Sequence, residues 1–98
     1  NMGSTLSSIG PTWQAGRYAY RTSKAALNML TRSAGEWYQK RGIILVSISP
    51  GWTRTEMGGP KATNSAADSV KGVRNVIAGL TMADTGKFFN FNGQIMPW

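Results

Sequence analysis

The stretch Ile43-Ile44-Leu45-Val46-Ser47-Ile48-Ser49, closed by Pro50-Gly51, decides the fold. It is a nearly continuous β-branched apolar run, the pattern of a central strand in a parallel sheet covered on both faces. On its N-terminal side, residues 16–41 read as a helix. Leu27, Leu30, Ala34, Trp37 and Tyr38 recur at helical spacing and predict its buried stripe. Lys40 and Arg41 suit the negative end of the macrodipole, and Gly42 suits the position just past the helix end. On the C-terminal side, Trp52 to Asn64 reads as a loop holding Gly58, Gly59 and Pro60. Ser65 is placed to cap a second helix, with Asp68 completing a capping box. Ala66, Val70, Val73, Ile77 and Leu80 carry that helix to about Met82. Gly72 and Gly79 each weaken it by about 1 kcal/mol relative to Ala, which marks them as points where the helix could pack closely.

Further out, Asp84-Thr85-Gly86 reads as a turn, Lys87 to Phe91 as a second strand, and Asn92-Gly93 as a turn before a short tail, Gln94 to Trp98. Asn1 to Gly16, rich in Ser, Gly and Thr with Pro11, reads as loop. The resulting order of helix, strand, helix, strand favours an α/β fold with a parallel sheet and right-handed crossovers. Two strands make a poor sheet. Residues 1–98 are therefore expected to form a single partial Rossmann-like unit, the C-terminal part of a larger pattern, completed by self-association.

Composition narrows the function. The chain has 98 residues, 41% of them apolar, and no cysteine or histidine. Disulfides, thiolate metal sites and a Ser-His-Asp triad are excluded within it. Its four acidic residues (Glu36, Glu56, Asp68 and Asp84) are scattered, so no metal site is expected. No apolar run approaches the length of a membrane span, and no signal-peptide pattern is visible. Together with the lack of cysteine, this points to the cytoplasm. The net charge is +7, and six of the eleven basic residues fall between Arg17 and Arg41. An anionic partner would explain this, either nucleic acid or a phosphate-bearing cofactor. So would a solvated helix face. The basic residues form no run and no nucleic-acid motif, which argues against nucleic acid.

The chemistry centres on Tyr20-Arg21-Thr22-Ser23-Lys24. On a helix, Tyr20 and Lys24 lie one above the other on one face. A cation beside a phenol favours the phenolate, and so makes a proton-transfer pair. The same spacing also serves ordinary packing with a solvated charge. Trp13, Trp52 and Trp98 are candidates for the rim of a cleft, or plain packing residues.

Tyr20-x-x-x-Lys24 followed by Ala25-Ala26-Leu27-Asn28 resembles the active-site helix of short-chain dehydrogenases/reductases. Ser49-Pro50-Gly51-Trp52 with Thr53 and Thr55 resembles that family's loop after the following strand. Met57-Gly58-Gly59 and the ending Gly86-Lys87-Phe88-Phe89…Gly93…Pro97-Trp98 are similar to its C-factor-like branch. The resemblance covers the C-terminal portion of the family's fold. It implies NAD(P)-dependent hydride transfer between a carbonyl and an alcohol, with Tyr20 as general acid/base. Lys24 would lower the tyrosine pKa and hold the nicotinamide ribose. Pro50, Gly51, Thr53 and Thr55 would line the nicotinamide end, and residues 53–64 would cover the substrate. Ser7, in Ser7-Ser8-Ile9-Gly10, is similar to the family's substrate-orienting serine. That serine normally ends an apolar strand, which residues 1–6 do not resemble. In the C-factor-like branch it often precedes a Met-Gly-Ser, which would place it just before residue 1. The glycine-rich turn and helix N-terminus that hold pyrophosphate are missing from the sequence. The expectations are therefore a small carbonyl or alcohol substrate, a homo-oligomer, weak cofactor binding by this chain alone, and little activity alone. The alternative is a non-enzymatic fragment that folds by oligomerising and binds no cofactor.

Overall fold

The computed structural model describes residues 1–11 and 15–98, so Trp13 lies outside the described residues. Helix α1 spans Tyr18–Gln39, strand β1 Ser47–Ser49, helix α2 Ala66–Gly79 and strand β2 Phe88–Asn90, with single 3-10 turns at Thr5–Ser7 and Met82–Asp84. The two strands are parallel, in the register Ser47↔Phe88, Ile48↔Phe89, Ser49↔Asn90.

The sheet is wider than the two strands. Residues 1–3, expected as loop, form a third parallel row on the free edge of β1. The Ile48 N–H donates to Asn1 O (2.9 Å) and the Gly3 N–H to Ile48 O (2.8 Å). On the other edge the tail turns back at Asn92-Gly93 and bridges β2, with Met96 N–H donating to Phe88 O (2.8 Å). Backbone pairing alone identified these rows, because Asn1-Met2-Gly3 has no apolar run.

The sheet's two faces differ. Val46, Ile48 and Phe89 form a buried cluster against which Val73 and Val76 of α2, and Leu80 at its C-terminal cap, pack. The alternate side chains, Ser47 and Ser49, are fully buried on the opposite face, where α1 lies. The expected continuous apolar strand is thus apolar on one face only. The ladder is also shorter than expected: Ile43 is 46% exposed, and its N–H bonds Tyr38 O at the end of α1.

The buried stripe of α1 differs from the predicted one. Leu30 and Trp37 are 57% and 52% exposed, while Asn28, Thr31 and Gly35 are buried. The cause is close approach: a Cβ on Gly35 would stand 3.1 Å from the Gly86 Cα. Small and polar residues therefore face the sheet, Leu27, Ala34 and Tyr38 are half-buried beside them, and Leu30 and Trp37 face away. Gly42 ends the helix as expected, with φ +73°.

The Ser65 hydroxyl caps α2 by accepting from Asp68 N–H at 3.0 Å and donating to Asp68 Oδ2 at 2.6 Å. The helix stops at Gly79, short of the expected Met82, and the 3-10 turn follows. There, hydrogen bonds from Lys87 and Thr81 hold the Asp84 carboxyl down to about 2. No helix among the described residues is long and apolar enough to cross a membrane, and they hold no cluster of three metal-ligating side chains.

Candidate active site

The site forms at the carboxyl ends of the parallel rows, where open α/β sheets bind ligands. Tyr20 and Lys24 lie in the first two turns of α1. Tyr20 is 36% exposed, and Lys24 Nζ stands 5.8 Å from the centroid of its ring. The ammonium donates to Met2 O at 3.0 Å. Arg21 reaches the same region, donating from Nη1 to Leu6 O (3.2 Å) and from Nε to Gly16 O (3.1 Å). Lys24 and Arg21 thus grip the backbone two residues before and two residues after Ser4.

Ser4 comes directly after the edge row of residues 1–3 and has extended backbone, φ −154° and ψ 141°. Its hydroxyl accepts from Leu6 N–H at 3.2 Å, and among the described residues it donates to none. Ser7 is placed differently. It is 4% exposed, and its hydroxyl donates to Ser4 O (2.5 Å) while accepting from Asn28 Nδ2 (2.7 Å). Ser4, which the sequence alone did not single out, is thus the first residue past the edge row and carries a hydroxyl at that row's carboxyl end. The available signal was Met2-Gly3-Ser4 itself.

The residues after β1 are tied to the Ser4 turn through Ser49. Ser49 Oγ accepts from Thr5 N–H (3.1 Å) and Gly51 N–H (3.3 Å), joining the Ser4 turn to the Pro50-Gly51 turn. Pro50 O accepts from the Thr53 hydroxyl (3.1 Å) and from the buried Ser69 hydroxyl of α2 (2.7 Å). Gly51 adopts φ +73°, and a Cβ there would meet Asn64 Nδ2 at 2.6 Å. Thr55 accepts from Gly58 N–H (3.1 Å) within the loop. That loop is tied by Arg54 N–H to Asn64 O (2.8 Å), Asn64 N–H to Trp52 O (3.0 Å) and Trp52 Nε1–H to Gly58 O (2.9 Å). Trp52 is half exposed at its start, whereas Trp98 stacks on Phe88 with centroids 5.6 Å apart.

The donor set suits the ribose–nicotinamide end of a dinucleotide. A lysine ammonium has three hydrogens, and one is engaged by Met2 O. The Thr53 hydroxyl donates within its own turn and keeps acceptor capacity for an amide.

The short chain dehydrogenase family model matches residues 4–66. C-signal of Myxococcus xanthus is 45% identical over 97% of this chain and 57% of that protein. Short-chain dehydrogenase srdF of Neurospora crassa is 36% identical over 82% of this chain and 35% of that protein. Among solved structures, the carbonyl reductase Sniffer of D. melanogaster superposes with a TM-score of 0.96 at 39% identity, over all of this chain and 40% of that one. The NADPH-bound carbonyl reductase from chicken fatty liver gives 0.91 at 41% identity, over all of this chain and 41% of that one. The chain therefore spans roughly half or less of the proteins it matches. It carries a partial Rossmann α/β fold and belongs to the short-chain dehydrogenase family.

Proposed function

We propose that the chain is the C-terminal catalytic segment of an NAD(P)-dependent carbonyl reductase, with Tyr20, Lys24 and Ser4 as the reacting constellation. The observation that carries this is the bracketing of Ser4 by Lys24 and Arg21, beside a half-exposed Tyr20. Tyr20 donates its phenolic proton to the carbonyl oxygen as charge develops there. Ser4 donates a hydrogen bond to the same oxygen and fixes its position. Lys24, whose ammonium lies 5.8 Å from the Tyr20 ring centroid, supplies a positive charge beside the phenolate that results. Pro50, Gly51, Thr53 and Thr55 line the nicotinamide side. Bound NAD(P)H supplies the hydride to the carbonyl carbon. The similar carbonyl reductase from chicken fatty liver is NADPH-bound, which supports that cofactor class.

The test is NADPH oxidation by the 98-residue chain with an aromatic aldehyde, followed by absorbance. Tyr20→Phe is expected to lower the rate about 100-fold or more. Ser4→Ala should lower the turnover rate, whereas Ser7→Ala should lower the melting temperature. A parent that oxidises NADPH together with a Tyr20→Phe variant that matches its rate would refute the assignment.

A second reading is a folded fragment that associates with itself and binds no cofactor. It is favoured by the outward-facing Met29, Leu30 and Trp37 of α1 and by the missing glycine-rich turn. A melting temperature that does not change with NADPH would select it.

A further inference from the structure

Asn28 lies one turn beyond Lys24 and two beyond Tyr20, on the same inclined ridge of α1. It is 4% exposed, yet both ends of its carboxamide are engaged. The Ser47 hydroxyl donates to Asn28 Oδ1 at 2.7 Å, and Asn28 Nδ2 donates to Ser7 Oγ at 2.7 Å. The Ser7 hydroxyl then spends its only hydrogen on Ser4 O, at 2.5 Å. The donors run in one direction, from β1 through α1 to the turn carrying Ser4. Such a chain strengthens each member and has one satisfied arrangement. It is packed tightly, for a Cβ on Gly3 would collide with Ser47 Oγ and lie 3.4 Å from Asn28 Oδ1.

We infer that Asn28 is a positioning residue. One side chain sets the rotation of the Tyr20–Lys24 helix against the sheet and, through Ser7, the place of Ser4. The inference rests on the reading of Tyr20, Lys24 and Ser4 as the reacting groups. A merely structural asparagine would satisfy buried hydroxyls without holding one particular segment.

Two variants separate these roles. Asn28→Asp still accepts from Ser47, but it cannot donate to Ser7. The Ser7 hydrogen is drawn to the carboxylate and leaves Ser4 O. The triple variant Ser7→Ala/Asn28→Leu/Ser47→Ala removes every partner at once, so no buried group is left unpaired and stability is largely kept. The measurement is residue-resolved amide hydrogen exchange on the 98-residue chain. In both variants the Leu6, Ser7 and Ser8 amides should exchange about tenfold faster or more, with the Ile48 and Asn90 amides within about threefold of the parent. The triple variant should show this at a near-parental melting temperature. Should Asn28→Asp fail to fold, the triple variant alone carries the test. Unchanged exchange at Leu6–Ser8, or acceleration there only in step with Ile48 and Asn90, would overturn the inference. The readout does not depend on turnover, so an inactive chain or an unaffected Tyr20→Phe variant leaves it standing or falling by itself.

Discussion

Gly3 is where the edge row, β1 and α1 come closest. An added Cβ would collide with Ser47 Oγ and stand 3.1 Å from Phe88 Cε2, and neither neighbour has room to retreat because both are fully buried. Gly3→Ala is expected to cost about 1–3 kcal/mol by overpacking. Ser47→Ala removes the nearer obstacle but leaves Asn28 Oδ1 without its donor. The double variant should therefore lose less than the sum of the two singles, by about 0.5 kcal/mol or more in urea denaturation. Strict additivity would show that the contact at Gly3 is relieved some other way. The residue scale is also where the sequence was read best and worst. The placement of Tyr20 and Lys24 on one helix was legible because their spacing carries its own geometry. Ser4 was not, since its position depends on Asn1-Met2-Gly3 pairing with Ile48, a contact between distant parts of the chain made entirely by backbone. Ser7 stood out by spelling, but burial commits its hydroxyl elsewhere.

At the scale of elements, both helices were visible in the sequence and one was turned the wrong way. Periodicity locates a helix and the width of its apolar stripe, but not which stripe faces the sheet when a second face carries small and polar residues. In α1, Gly35 lies against the backbone of Gly86, Asn28 accepts from Ser47 of β1 and Thr31 accepts from Asn1 of the edge row, so these three face the sheet. Leu30 and Trp37 satisfied the hydrophobic rule and still point outward. The two glycines of α2 show the same limit, since both break helix propensity equally. A Cβ on Gly72 would meet Phe91 Cδ2 and Phe91 O, each at 2.6 Å, while a Cβ on Gly79 would meet nothing within 4 Å. Gly72→Ala should therefore destabilise by about 1–3 kcal/mol, sterics outweighing propensity. Gly79→Ala should stabilise by up to about 1 kcal/mol, because propensity acts there alone. Thermal unfolding of the pair checks this, and equal effects of one sign would mean that packing of α2 on the Phe91 turn is not what fixes Gly72.

At the scale of the molecule, the amount of apolar surface left outside decides the behaviour. The fully buried apolar side chains among the described residues are Val46, Ile48, Ala62, Phe88 and Phe89, a thin core for 98 residues. The molecule measures 42 × 28 × 20 Å, with a radius of gyration of 13.6 Å against about 13 Å for a rounded domain of this size. Met29, Leu30 and Trp37 lie along the outer face of α1. Each is already a third to a half covered, so burying the rest is worth about 1–2 kcal/mol apiece, and about 3–6 kcal/mol for all three against a domain stability of about 5–15 kcal/mol. That the sheet is incomplete was legible in the order of elements, and the match to under half of each solved relative agrees. What covers the outer face was not, because no pattern within a chain names its partner. If these 98 residues cover it with a second copy, the melting temperature rises with protein concentration. Like charge opposes such pairing, since each copy carries +7, and screening should therefore raise the melting temperature further as salt increases. Met29→Lys/Leu30→Lys should abolish both dependences and give a monomer by sedimentation. A parent chain that sediments as a monomer, with one melting temperature across a hundredfold range of concentration (about 1–100 μM), would rule self-association out. The outer face of α1 would then be open to the rest of a longer protein.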